Sequence, residues 1–253
     1  MRSILLFFIP QLFTYCLQGQ SQVAINGKEL LQKTINYHDP KGNWNNFQQK
    51  LYFHAKEIQD TAIYEEVFLD NKNSFFGHIS HTDGKLVEKG IQDTLYFARI
   101  NGDTSISVED KKKYRVSRRA TRAAKNSYVF LYGLPMKMAD KGVILSDEVK
   151  IDTFNKKNYY VLKADFEKGV GSDTWYLYIN PKNYAMEGYR FYHNRKPNDG
   201  EFIICEGLLE VQGMKIPKIR YWYSNSNGEY GATDIVERVE KWAWKKKKGT
   251  SLK

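Results

Sequence analysis

Four runs rich in tyrosine, phenylalanine, tryptophan and isoleucine follow one another between Ser172 and Tyr223. They are Asp173 to Asn180 (DTWYLYIN), Tyr184 to His193 (YAMEGYRFYH), Glu201 to Val211 (EFIICEGLLEV) and Ile216 to Tyr223 (IPKIRYWY). Aromatic and β-branched residues suit a pleated, half-buried surface, and the Pro, Gly, Asn and Asp residues between the runs supply turn dihedrals. None of the connections is long enough for the crossover helix that parallel neighbours need, so the runs must form an antiparallel meander.

The same rhythm occupies the first half of the chain. Gln48 to Gln59 alternates Leu51, Phe53 and Ala55 with Tyr52, His54 and Lys56, the period of a strand. Further strands are expected at Thr61 to Leu69, Ser74 to His81, Lys85 to Ile91 and Thr94 to Ile100, with hairpin signals at Asp83-Gly84 and Asn101-Gly102. Trp44 is expected to open the first strand. Two stretches break the rhythm. Leu30, Leu31, Ile35 and His38 recur at near-helical spacing, which predicts a helix over about 27 to 37, with Asn26 as its cap and Pro40 as its stop. From Glu109 to Tyr132, Val116, Ala120, Ala123 or Ala124, Ser127 and Phe130 or Leu131 can share one face of a single helix. A hairpin of Val149 to Phe154 with Tyr159 to Phe166, and a last strand from Gly231 to about Trp244, complete the set.

About eleven or twelve antiparallel strands and two helices predict an α+β, mainly β chain: a large curved antiparallel sheet, a half-open barrel wrapped around the helices. A sheet of that size must close or cover its apolar face. Several strands are apolar on both sides; Trp175, Leu177 and Ile179 oppose Thr174, Tyr176 and Tyr178. Trp175, Leu177, Tyr189, Phe191, Ile203, Ile219 and Tyr221 are therefore the expected lining of an apolar cavity in the concave face. The competing reading makes the same side chains plain core.

Met1-Arg2-Ser3, ten mostly apolar residues from Ile4 to Phe13 and the polar run Gln18-Gly19-Gln20-Ser21 have the order of an export signal over residues 1 to 21. The apolar run is too short to span a bilayer. Cys16 admits lipidation as an alternative, although Phe13-Thr14-Tyr15 before it departs from the usual small residues. If Cys16 leaves with the signal, Cys205 is the one cysteine of the remaining 232 residues, and no intramolecular disulfide can form. Those residues, 22 to 253, are expected to make a single domain with a basic C-terminal tail.

The formal net charge of +10 is local. Lys111 to Lys125 holds eight basic residues and no acid, and Lys241 to Lys253 holds six lysines and no acid. Without these fourteen and Arg2, 24 basic residues face 29 acidic ones. Arg115, Arg118, Arg119 and Arg122 are candidates to face an anionic membrane surface, a solvated helix being the plainer account. Aromatics do not interleave with these arginines, so nucleic-acid binding by stacking is not expected. Trp242-Ala243-Trp244-Lys245, continuing to Lys248, mixes aromatic and basic residues as interfacial segments do.

No catalytic constellation stands out: the chain has no Gly-rich phosphate loop, no His-Glu-x-x-His, no Gly-x-Ser-x-Gly and no Cys-x-x-Cys. His78 and His81, three apart on a strand, point to opposite faces and make a poor shared metal site. Cys205 with His193 is the one conceivable nucleophile and base pair, from adjacent strands. A buried, inert cysteine is the bland alternative. No cofactor or metal is expected.

Several blocks together resemble an uncharacterised family of exported proteins from Bacteroidota, classed as a domain of unknown function. They are Tyr37-His38-Asp39-Pro40 with Gly42-Asn43-Trp44, Tyr132-Gly133-Leu134-Pro135-Met136-Lys137, Asp173-Thr174-Trp175-Tyr176, Tyr184-Ala185-Met186-Glu187-Gly188-Tyr189, Asn198-Asp199-Gly200-Glu201, Lys215-Ile216-Pro217-Lys218 and Thr233-Asp234-Ile235. The resemblance covers nearly all of the chain after residue 21. That family is similar in architecture to lipoprotein carriers of the LolA and LolB type, in which a half-open antiparallel barrel holds helices against its concave face. The resemblance implies no catalytic residues. Together these readings predict a non-enzymatic, monomeric protein of the periplasm or outer-membrane periphery that binds an acyl chain or acylated protein. An envelope hydrolase and a protein-interaction scaffold are the rivals.

Overall fold

The structure is a computed structural model that describes residues 25–57 and 62–242. The expected export signal over residues 1 to 21, Cys16 and the expected basic tail beyond Trp242 lie outside the described residues. Thirteen strands form one antiparallel, curved and open sheet. The first five are β1 (Gln48–Glu57), β2 (Ala62–Asp70), β3 (Phe75–Thr82), β4 (Lys85–Gln92) and β5 (Leu95–Ile100). The helix α1 (Gly27–His38) precedes this first meander, and α2 (Val108–Lys113) and α3 (Arg118–Tyr132) follow it. The second half supplies β6 (Val143–Leu145), β7 (Lys150–Phe154), β8 (Lys157–Phe166), β9 (Thr174–Ile179), β10 (Met186–Tyr192), β11 (Glu201–Val211), β12 (Met214–Ser224) and β13 (Tyr230–Lys241).

The strand order is β5-β4-β3-β2-β1-β13-β12-β11-β10-β9-β8-β6, with β7 also paired to β8. The two meanders are thus joined at one seam, where β1 runs against β13 with Leu51 opposite Val239 and Phe53 opposite Val236. The turns behave as their residues dictate. Asp83-Gly84 and Asn101-Gly102 both take positive φ at each position, the primed-turn geometry that matches strand twist.

Asn26 caps α1 by accepting the Glu29 N–H at 2.9 Å. The helix is then bolted down at its other end. His38 donates through Nδ1 to the Lys215 carbonyl at 2.6 Å and accepts the Met186 N–H on Nε2 at 2.9 Å, so one imidazole ties α1 to β10 and β12. Burial lowers the His38 pKa, with the Lys215 carbonyl bond opposing. Asp39 accepts the backbone N–H groups of Asn43 and Trp44 and shapes the following turn. Trp44 belongs to a 3-10 turn over Trp44–Asn46 rather than to the first strand.

The helix expected between Glu109 and Tyr132 is two helices. Ser107 and Ser117 each cap one, accepting from Asp110 and Ala120, and Arg115 sits between them at φ 51°. Of the expected stripe, Val116 is buried and Ala124, Phe130 and Leu131 pack against the core. Thr121, Ala124, Tyr128, Leu131 and Tyr132 face the sheet, and Ser127 is exposed. Tyr128 crowns this stripe by donating to Glu65, which also pairs with His78 at 3.2 Å.

α1 and α3 divide the concave face into two apolar clusters. One holds Trp44, Leu51, Phe53, Val67, Leu69, Phe76 and Tyr132 against the first meander. The other holds Leu30, Leu31, Leu134, Leu162, Trp175, Leu177, Tyr189, Phe191 and Ile203 against the second. A third patch, Phe154 with Tyr159, Val161 and Tyr178, lies on the opposite, outer face of β7 to β9.

Candidate functional site

Five of the seven residues expected to line a cavity come together in the concave face: Trp175, Leu177, Tyr189, Phe191 and Ile203, all buried. They are packed rather than open. Trp175 stacks on Phe191 at 4.7 Å between ring centroids, and Phe130 of α3 closes over it at 4.8 Å. Ile219 and Tyr221 do not join them. In β12 the inward side chains are Arg220, which is 1 % exposed, and Trp222. Tyr221 stands opposite Ile204 of the outer patch, as Trp222 stands opposite Ile203 of the inner one. The run IPKIRYWY is apolar on both faces, so alternation alone does not say which parity is buried, and here a charged residue takes the inside.

Where the packed interior meets solvent, a pocket of about 250 Å³ opens between α3 and the end of the sheet. Its apolar wall is Val129, Phe130, Val143, Phe166 and Val170. Phe130, Val143 and Phe166 also pack against the second cluster, so the wall continues into the core. The rim carries Lys125, Lys137 and Lys141 beside Asp140 and Asn126. Lys137 pairs with Asp140, and Lys125 donates to the Ser74 carbonyl. Partial burial lowers the Lys125 pKa, with Arg122 adding to the effect and Asp93 opposing it. An apolar slot under a cationic rim is suited to an amphiphile: the rim attracts anionic charge and the wall accepts hydrocarbon. Larger hollows of about 380 and 430 Å³ lie elsewhere, against the outer face at Tyr176, Tyr178, Arg190 and Tyr192 and at the loop of His193 to Gly200. Neither leads into the concave core.

The four arginines proposed to face a membrane are all exposed. Arg118 reaches back to the Thr94 carbonyl at 2.7 Å, and Arg115 lies in the break between α2 and α3. Arg119 and Arg122 point outward from α3.

Cys205 and His193 do not form a pair. Gly188 stands opposite Ile204, which extends to Glu187 opposite Cys205, so His193 lies six residues further along its strand. At about 3.3 Å per residue the two are roughly 20 Å apart. His193 instead faces Asp173 at 3.1 Å, and burial pushes the Cys205 thiol up to about 11, far from a reactive thiolate. His78 is buried and His81 exposed, as opposite strand faces require. Among the described residues no group of three or more His, Cys, Asp or Glu could hold a metal ion, and no helix is long and apolar enough to cross a membrane.

The chain belongs to a family of unknown function, DUF6503, whose model matches residues 4–241. A search of curated proteins finds no match. Among solved structures it is similar to a LolA superfamily protein from Nitrosomonas europaea, with 12% identity and a TM-score of 0.49, over 88% of this chain and 96% of that one. A provisional outer membrane lipoprotein-sorting protein domain from Vibrio parahaemolyticus has 11% identity and a TM-score of 0.48, over 90% and 95% of the two chains. A DUF1329 family protein from Desulfovibrio piger has 6% identity and a TM-score of 0.45, over 85% and 93%.

Proposed function

We propose that this protein is a non-enzymatic binding protein of the cell envelope, which takes an acyl chain or acylated cargo into the concave face through the slot beside α3. The observation that carries this reading is the apolar slot that continues into the core beneath three lysines. Each methylene removed from water contributes about 0.8 kcal/mol. A slot of about 250 Å³ falls just below the usual range of ligand pockets, so it receives the end of a chain, and a longer chain enters only as Phe130 yields. α3 is suited to yielding: only Thr121 and Tyr132 of its fifteen residues are fully buried.

In this reading the protein is exported, works as a monomer in the periplasm or at the periphery of the outer membrane, and needs no cofactor. Arg119 and Arg122, with Arg115 and Arg118 nearby, bring the mouth to an anionic lipid surface, at about 1 kcal/mol per basic residue close to the headgroups. Displacement of a bound fluorescent fatty acid tests the site. Val143→Trp fills the slot and is expected to abolish binding, whereas Ile144→Trp, at a neighbouring position that is 50% exposed, leaves it intact. Equal binding by both variants refutes the location. Native mass spectrometry of protein purified from its own envelope, followed by lipid extraction, identifies the cargo; a clean apo mass counts against a carrier.

A further inference from the structure

Arg220 is the largest fully buried side chain among the described residues, and it lies at the middle of the sheet on the concave side. Guanidinium stays charged in proteins, and a buried charge is normally matched by a carboxylate. Arg220 forms no ion pair among the described residues. Its one hydrogen bond runs from Nη1 to the Pro217 carbonyl at 3.3 Å, and its guanidinium carbon sits 3.9 Å from the centre of the Tyr132 ring. The Arg220 Nε and the hydroxyls of Tyr132 and Tyr189 are all buried with no hydrogen-bond partner. The three groups are neighbours: the guanidinium lies over the Tyr132 ring, and Tyr189 stands opposite Ile203, two positions along β11 from Cys205, the ladder partner of Arg220; burial holds both hydroxyls protonated, far above their ordinary pKa.

Three buried donors without hydrogen-bond partners thus surround a guanidinium that no carboxylate contacts directly among the described residues. The two acids in reach do not pair with it. Asp234 stands opposite Arg220 across the β12–β13 ladder, but its carboxylate accepts from the Trp222 indole at 2.8 Å. Burial raises the Asp234 pKa, with the Trp222 bond and Arg220 opposing, which reduces its competition with an incoming anion. Glu65 is engaged by Tyr128 and His78. Cys205, the ladder partner of Arg220, is a neutral thiol.

We propose that Arg220, Tyr132 and Tyr189 form an internal site for a carboxylate, which receives the head of a fatty-acid-like ligand whose chain lies along the second apolar cluster. This rests on the acyl-binding reading and deepens it, because it assigns the ligand a free acid group and a head-inward orientation. Tyr132 is the last residue of α3, so the movement that opens the slot also uncovers the receptor.

The test compares cis-parinaric acid with its methyl ester at neutral pH, with acetate as a competitor. Wild-type protein is expected to bind the acid at least about tenfold more tightly than the ester, as befits a charge-assisted hydrogen bond. Arg220→Met is expected to remove that preference while keeping the ester affinity. Tyr189→Phe, which keeps the ring and deletes the unpaired hydroxyl, is expected to reduce the preference with little change in melting temperature. Protection of the wild-type melting temperature by acetate alone assigns the site to a small free carboxylate; protection by the long-chain acid alone assigns it to an amphiphile. Equal binding of acid and ester by wild type, or a preference that survives in Arg220→Met and Tyr189→Phe, overturns the receptor and leaves acyl binding standing. If neither probe binds, acyl binding falls and the receptor falls with it.

Discussion

Phe130→Ala separates a ligand gate from ordinary core. Phe130 is half-buried on α3 and meets Trp175 edge-on at 4.8 Å and Phe166 at 6.1 Å between ring centroids. Two aromatic contacts at about 0.5–1.5 kcal/mol each set the lost ring interaction at about 2 kcal/mol. The usual cost of a fully buried Phe→Ala change, about 3–5 kcal/mol, is an upper bound for a side chain that begins half exposed. The truncation is therefore expected to lower stability by about 2 kcal/mol, read as a shift of the urea midpoint at constant slope. The same change widens the slot toward Trp175. Affinity for a homologous series of fatty acids rises by about 0.8 kcal/mol, or roughly fourfold, per methylene until the slot is full. Space for two further methylenes is worth about 1.6 kcal/mol, so the longest acids should gain roughly fifteenfold over wild type. Leu177→Ala is the control: it lies fully buried on β9 away from the opening and is expected to cost about 2–5 kcal/mol without moving the length at which affinity levels off. If Phe130→Ala loses the same stability but leaves that length unchanged, Phe130 is core and the slot does not receive the chain.

Other perturbations test the frame around the site. His38 is held neutral, with its pKa below the unfolded value of 6.5, so the unfolded chain takes up the proton first and stability falls as pH drops below about 6.5. The slope is at most about 1.4 kcal/mol per pH unit, and His38→Gln is expected to flatten it between pH 7 and 5 in urea titrations; an unchanged slope assigns it to other groups. A Cβ on Gly27 would fall 1.9 Å from the Ser146 carbonyl oxygen, so Gly27→Ala is expected to cost about 1–3 kcal/mol despite its better helix propensity, and a rise in melting temperature contradicts the packing of α1 on the strand ends. Exchanging Lys137 and Lys141 for glutamate should slow association of anionic amphiphiles and remove its salt dependence while leaving stability within about 0.5 kcal/mol; stopped-flow rates measured at two salt concentrations decide it. Arg119→Glu with Arg122→Glu should abolish sedimentation with anionic vesicles, and retained binding removes the proposed membrane contact.

Local order was legible in the residues because it is local. Strand alternation, Asp-Gly and Asn-Gly turns and the Asn26 cap act over a few positions, and they imply about eleven or twelve antiparallel strands in two meanders where the structure has thirteen. The same information failed where two answers have equal local merit. Between Glu109 and Tyr132, Ser107 and Ser117 both offer caps, and the break at Arg115 requires a positive φ that no residue type there announces. Ser127 and Tyr128 both continue a helical stripe; packing of Tyr128 on Phe53 and Phe76 turns it inward and leaves Ser127 exposed.

The seam between β1 and β13 joins residues far apart in the chain, Gln49 opposite Lys241 and Glu57 opposite Ala232, and no local pattern encodes that pairing. Which parity of β12 faces inward follows from the seam, because the register set by β11 and β13 rotates every side chain of the strand together. The residues themselves determined an antiparallel, aromatic-rich sheet with helices to cover it. Only the tertiary structure decided that Ile219 and Tyr221 look outward while a charged Arg220 stands in the core, since burial of an arginine is set by its partners in space and not by its neighbours in the chain.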